Sequence, residues 1–403
     1  MEPHAFLTAL AVVLCVAAVT TVLFQWLHQP VVVGYVLAGL IVGPHVPIPL
    51  VADQHIVQTL SELGVVLLMF SIGLEFNLGR LAELGPSSGV TAIIQCSVMM
   101  VLGFVVAYAL GWTVLESVFT GAIVAISSTT IIVKAFDEQR IRGKPRDLVV
   151  GVLIVEDIVA IVLMAVLTIV VSENGLSVRA VAHSLGRLVV FLLVLLGVGR
   201  LTVPPAIRAV TRLHRPETTL IASIGVCFAL SLLALKLGYS AALGAFVAGS
   251  LVAESGEERR IDRLVAPVRD MFAAIFFVSV GMLMDPVLIR THFAAIAVLT
   301  AVVIVGKIVS VSIGAYVAGS EPGGAVRAGM SLAQIGELSF VIAGLGLSVG
   351  ATRSFLYPVA VAVSLITTLT TPWLIRASGP VGGWVDRHWV GRSFGRLRRR
   401  RPS

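Results

Sequence analysis

About a dozen runs of roughly 20 mostly apolar residues, parted by short polar links, occupy this chain of 403 residues almost from end to end. Each run is long enough to cross a hydrocarbon layer about 30 Å thick. No other feature constrains the fold as tightly. Hydrocarbon offers no water to peptide N–H and C=O groups, so a spanning segment has to close its hydrogen bonds within itself, and the runs are expected to be helices. Composition agrees: 57% of the residues are hydrophobic, 13% are charged and the mean hydropathy is +1.01, outside the range of soluble globular chains. The expected fold class is an all-α polytopic membrane protein over residues 1–378 with a short basic cytoplasmic tail, 379–403, and no room for a separate soluble domain.

Apolar runs read against polar breaks predict thirteen helices, at about 5–27, 30–44, 55–74, 87–110, 114–136, 147–171, 180–202, 217–236, 239–253, 264–284, 292–319, 325–348 and 354–376. The first run has no basic leader or small-residue cleavage site and is read as a retained helix rather than a signal peptide. The loops then sort by charge. One set carries Arg80, Arg140, Arg142, Lys144, Arg146, Arg208, Arg212, Arg215, Arg259, Arg260, Arg263, Arg327 and the tail arginines; the other carries only Arg179, Lys236, Arg290 and Arg353. That asymmetry predicts an outside amino terminus and a cytoplasmic carboxyl terminus. The net charge of +7 lies in these loops and in the Arg396–Arg401 stretch, which suits topology and contact with anionic lipid, not nucleic acid. Cys15, Cys96 and Cys227 sit inside apolar runs, so no disulfide framework, transition-metal site or cofactor is expected.

Two runs are interrupted at membrane depth. The fifth contains Ser127, Ser128, Thr129 and Thr130, and the twelfth contains Gln334, Gly336, Glu337 and Ser339. Serine and threonine can return their hydroxyls to the preceding turn of an unbroken helix, so either segment alone has a structural explanation. The two interruptions lie seven helices apart, however, in corresponding places of two halves, about 5–171 and 217–376, joined by a connector at about 180–202. Paired interruptions of this kind point to a transport site between inverted repeats.

The acidic pair Glu156-Asp157 lies in an otherwise uncharged run. Ionisable groups at that depth are rare because burial is costly, and they mark ion pathways or proton relays. Asp157 falls about ten residues into its helix, roughly 15 Å from the cytoplasmic end at about 1.5 Å per residue, near the midplane. Desolvation favours a neutral carboxyl and a bound cation favours the charged form, so proton and cation would compete for one group. Ser127, Ser128, Thr129 and Thr130 offer hydroxyl and carbonyl oxygens of the kind an alkali cation prefers. Successive helical residues diverge by about 100°, so Glu156 and Asp157 cannot both face one point. Lys307 is the other isolated charge in an apolar run. Glu337 can either favour the positive end of a half-helix or contribute to the site.

Several strings together resemble the membrane domain of the cation:proton antiporter-2 family, which includes Kef-type potassium/proton systems and related sodium/proton antiporters. They are Gly34 to Pro44, Leu67 to Phe76, Ser127-Ser128-Thr129, Glu156-Asp157-Ile158, Phe276 to Met282 and Gly336 to Phe340. The resemblance implies two discontinuous helices crossing near the midplane, a dimerisation domain, a mobile core and a homodimer working by elevator-like alternating access in a bacterial inner membrane. It implies exchange of Na⁺ or K⁺ for protons, with the cation at Asp157, Glu156, Lys307, Ser128, Thr129 and Thr130 in the site, and Ser127, Gln334 and Glu337 in support. It also matches Lys307 to a lysine that pairs with the second acid, so a Lys307–Asp157 ion pair is expected; the alternative is that Lys307 neutralises helix-end dipoles. Glu156-Asp157 departs from the Gln-Asp usual in Kef-type systems, which leaves the cation open. A gated potassium channel, a non-transporting sensor and an organic-anion symporter are the competing functions on such a scaffold.

Overall fold

The computed structural model describes residues 3–27, 29–44, 54–75, 86–172 and 178–398. Among them it contains sixteen α-helices: α1 Pro3–Trp26, α2 Val31–Val42, α3 Gln54–Glu75, α4 Pro86–Ala109, α5 Val114–Ala125, α6 Thr129–Glu138, α7 Lys144–Ser172, α8 Val178–Thr211, α9 Pro216–Lys236, α10 Ala241–Val252, α11 Glu258–Met282, α12 Pro286–Thr291, α13 Phe293–Val317, α14 Pro322–Ser331, α15 Glu337–Ser348 and α16 Leu356–Arg398. Pairing α5 with α6 and α14 with α15, and setting aside the six-residue α12, leaves the expected thirteen. Helix ends follow local chemistry. Thr113 and Glu116 form a reciprocal capping box at the start of α5, Ser240 caps α10, and prolines open α9 and α14, where a missing N–H is harmless. The apolar stretch 241–282 is divided at residues 253–257, where Gly256 takes φ 78°.

The chain divides into two compact units. The first comprises Met1–Glu83 and Ile161–Pro286. In it, α2 packs on α11 and α3 packs on both α10 and α11. Those crossings are close because glycines meet at them: a Cβ on Gly39 or Gly281 would strike the facing backbone of α11 or α2, and one on Gly73 or Gly249 that of α10 or α3. Ala9, Val13, Ala17, Ala38, Val42, Ile275, Val278 and Met282 fill a core beside them.

The second unit comprises Leu84–Ala160 and Val287–Ser403. It holds both interrupted helices. Its core gathers Ala92, Ile132, Phe136, Val152, Leu153, Val311, Leu332 and Ile375 around α6, α7 and α14. The tail expected from residue 379 is helical as far as Arg398, continuing α16. Its position is fixed on α14: Asp386 accepts the Gly323 N–H at 2.7 Å and pairs with Arg327 at 3.4 Å.

Candidate functional site

Both breaks expected from the sequence are present, and they cross. α5 stops at Ala125, Ile126 is extended (φ −100°, ψ 133°), and α6 starts at Thr129. In the second, α14 stops at Ser331, and α15 starts at Glu337 after the extended Gly336. The two unwound strands meet backbone to backbone, with the Gly336 N–H donating to the Ile126 carbonyl at 3.0 Å. A Cβ at Gly336 would lie 2.5–2.6 Å from the Ser127 and Ser128 backbone, so the crossing needs glycine there.

Side chains of the same unit satisfy the backbone groups that the first break frees. Glu156, fully buried on α7, accepts the Ser127 N–H at 2.7 Å. Lys307, fully buried on α13, donates to the Ser127 hydroxyl at 2.6 Å and to the Ala125 carbonyl at 3.1 Å, with its Nζ 3.9 Å from Glu156 Oε2. Gln95 on α4 donates to the same Ala125 carbonyl at 2.8 Å and accepts from the Cys96 thiol at 3.2 Å. The Ser128 hydroxyl caps α6 by accepting the Ile131 N–H at 3.2 Å, and Gln334 reaches across from the second break to the Ser128 carbonyl at 3.1 Å. Unwound backbone is tolerated at membrane depth only where it is satisfied in this way.

Asp157 turns elsewhere. It is partly exposed, and its Oδ2 accepts from the Thr129 hydroxyl at 3.1 Å. The expected Lys307–Asp157 pair is therefore replaced by a Lys307–Glu156 pair, and the reason is the helical turn between adjacent residues: the carboxylate that looks into the crossing is Glu156. Lys307 also meets the C-terminal carbonyl of the half-helix α5, so pairing and dipole neutralisation are one arrangement. Two buried acceptors, Glu156 Oε1 and Gln334 Oε1, have no hydrogen-bond partner. Glu337 opens α15 as its first residue, at the positive end of that half-helix. The Thr130 side chain and Arg80 lie outside the described residues.

Sequence reasoning passed over Gln95, Ser364, Thr367 and the buried Glu116. Glu116 is held by Arg353 through two side-chain bonds at 2.7 and 2.8 Å. A polar residue inside an apolar run was the available signal for the first three, and the Thr113-x-x-Glu116 spacing for the last.

A sodium/hydrogen exchanger transmembrane family model matches residues 11–376. The chain belongs to this family. Within it, a putative cation/proton antiporter, YbaL, of Escherichia coli is 32% identical over 360 residues, covering 85% of this chain and 63% of that protein. K(+) efflux antiporter 4 of Arabidopsis thaliana is also 32% identical, covering 91% of this chain and 63% of its own length. The chain thus spans somewhat less than two thirds of these relatives. The fold is shared with the sodium proton antiporter MjNhaP1 of Methanocaldococcus jannaschii, at a TM-score of 0.77, 14% identity and 95% coverage of this chain. With eight helices long and apolar enough to cross a bilayer among its described residues, this family member is a multi-pass membrane protein.

Proposed function

We propose that this exchanger-family chain is a secondary active antiporter that trades a monovalent cation, Na⁺ or K⁺, for protons. The observation that carries the reading is the contact between Asp157 and the Thr129 hydroxyl at the first break, one residue from a carboxylate already committed to Lys307. Asp157 binds either a proton or a cation, the two competing for one carboxylate. Thr129 supplies a neutral oxygen beside it. The hydroxyls of Ser127 and Ser128 are engaged in holding the break, so they act on the cation through backbone geometry rather than as its first ligands. Glu156 and Lys307 keep the crossing assembled while the net charge at Asp157 changes.

The unit that carries both breaks is the moving part in this reading, in an elevator-like alternation of access within a homodimer. The membrane is a bacterial inner membrane, with the amino terminus outside and the basic carboxyl-terminal end against anionic lipid on the cytoplasmic side. The relatives named for cation/proton antiport and K⁺ efflux support the exchange class.

The test is collapse of an imposed pH gradient in proteoliposomes on addition of sodium, potassium, lithium or rubidium. Asp157→Asn is expected to insert normally and to abolish exchange with every cation. Near-normal exchange in that variant would overturn the reading, and cation flux indifferent to the pH gradient would replace it with a channel.

A further inference from the structure

The second break has a clasp of its own. Ile335, fully buried, is gripped at both ends of its backbone by two hydroxyls one turn apart on α16. Ser364 donates to its carbonyl at 3.1 Å, and Thr367 accepts its N–H at 3.5 Å. The Thr367 hydroxyl proton is directed back into α16, toward the Val363 carbonyl at 2.9 Å and the Ser364 carbonyl at 3.1 Å, which leaves its lone pairs for Ile335. Both side chains are buried, at 4% and 0% exposure, so water does not compete for these bonds.

Ile335 lies between the two residues that touch the first break. Its carbonyl belongs to the same rigid, planar peptide unit as the Gly336 N–H, which donates to Ile126. Its own N–H belongs to the peptide unit that begins at Gln334, whose side chain holds the Ser128 carbonyl. Fixing Ser364 on one plane and Thr367 on the other therefore fixes the orientation of both links to the strand that leads into Thr129. Thr367 stands to Ile335 as Glu156 stands to Ser127, an acceptor on a long neighbouring helix taking the N–H of an unwound residue. The first break is held with charged groups, and the second with hydroxyls that carry none.

We propose that Ser364 and Thr367 are positioning residues for the cation site: by orienting the peptide planes on either side of Ile335 they hold Gln334 and Gly336 against the first break and so set the geometry between Thr129 and Asp157. This rests on the exchange reading for its transport consequence, and two measurements keep the two separable. In proteoliposomes, the Ser364→Ala/Thr367→Val double variant should raise the cation KM by about tenfold, the loss expected for one ordinary hydrogen bond and one long, weaker one, with a much smaller change in maximal rate per folded protein. Ser364→Thr and Thr367→Ser, which keep the hydroxyls, should stay within about twofold of the parent. An unchanged KM in the double variant, or an equal loss in the hydroxyl-keeping variants, overturns the proposal. Amide hydrogen exchange on the same purified proteins reads the clasp without transport. The peptide covering 332–338 should exchange about tenfold faster in the double variant. Unchanged exchange there overturns the clasp even if the parent transports nothing.

Discussion

Removing Lys307 tests how the crossing is held. Its ammonium lies 3.9 Å from Glu156 Oε2, and both side chains are fully buried. At an effective dielectric of about 20, unit charges about 4 Å apart attract by about 4 kcal/mol. Taking each ion out of water costs several kcal/mol, so the pair as a whole comes close to breaking even against an apolar replacement. Removing one partner is different, because the other stays buried without its counter-charge, and the loss is then about 3–5 kcal/mol. Lys307→Met also deprives the Ser127 hydroxyl of its donor, although Gln95 still serves the Ala125 carbonyl. Glu156→Gln keeps an oxygen for the Ser127 N–H but leaves Lys307 without its counter-charge. Each single variant should therefore lose about 3–5 kcal/mol, and the double variant much less than the sum, with a coupling of about 2 kcal/mol or more. Equilibrium unfolding in mixed micelles, followed by the fluorescence of the five tryptophans, measures all four corners of the cycle. Additive losses, within about 0.5 kcal/mol, would show that the two charges do not support one another and would refute this account of the crossing.

Other parts of the second unit give simpler expectations. Gly336→Ala places a methyl group against the backbone of Ser127 and Ser128, where nothing can yield without parting the strands, and should destabilise the purified protein by about 1–3 kcal/mol and stop exchange; a stable, active variant would mean the crossing is looser than drawn. Asp386→Ala removes the acceptor at the start of α14 together with the partner of Arg327, and should cost about 1 kcal/mol by thermal unfolding, while a surface substitution such as Arg387→Ala should leave the midpoint alone.

Much of this was legible before any coordinates. Apolar run length is dictated by the bilayer, so the thirteen helical runs could be read directly, and hydroxyl-rich or Gln-Ile-Gly-Glu interruptions stand out against hydrocarbon-compatible neighbours. Within the site, Glu156, Asp157 and Lys307 stood out because charge inside an apolar run is rare. Their pairing was not. Which of two adjacent acids meets a lysine on a helix 150 residues away depends on helix rotation, and periodicity in a run that is apolar on every side carries little information about rotation. Ser364 and Thr367 were hidden for a related reason: they lie among Thr368, Thr370 and Thr371, all compatible with ordinary bonds to the preceding turn, and only the position of Ile335 separates those two from the rest. The continuation of α16 past residue 378 was missed because glycine, proline and charged residues gather there, although none of these by itself ends a helix.

The two units solve the problem of close helix contact in opposite ways. In the first, glycine faces glycine and intact helices touch through backbone atoms, at Gly39 with Gly281 and Gly73 with Gly249. Such contacts depend on shape alone and do not respond to a charge. In the second, the helices are opened, and each freed group is met by a side chain: Ser127 N–H by Glu156, Ala125 carbonyl by Lys307 and Gln95, Ser128 carbonyl by Gln334, Ile335 by Ser364 and Thr367. That arrangement leaves Asp157 partly exposed beside the crossing while the backbone around it is already satisfied. In the exchange proposed above, a proton or a cation would arrive and leave at Asp157 without exposing a bare peptide group to hydrocarbon, a condition that a carrier of that kind must meet.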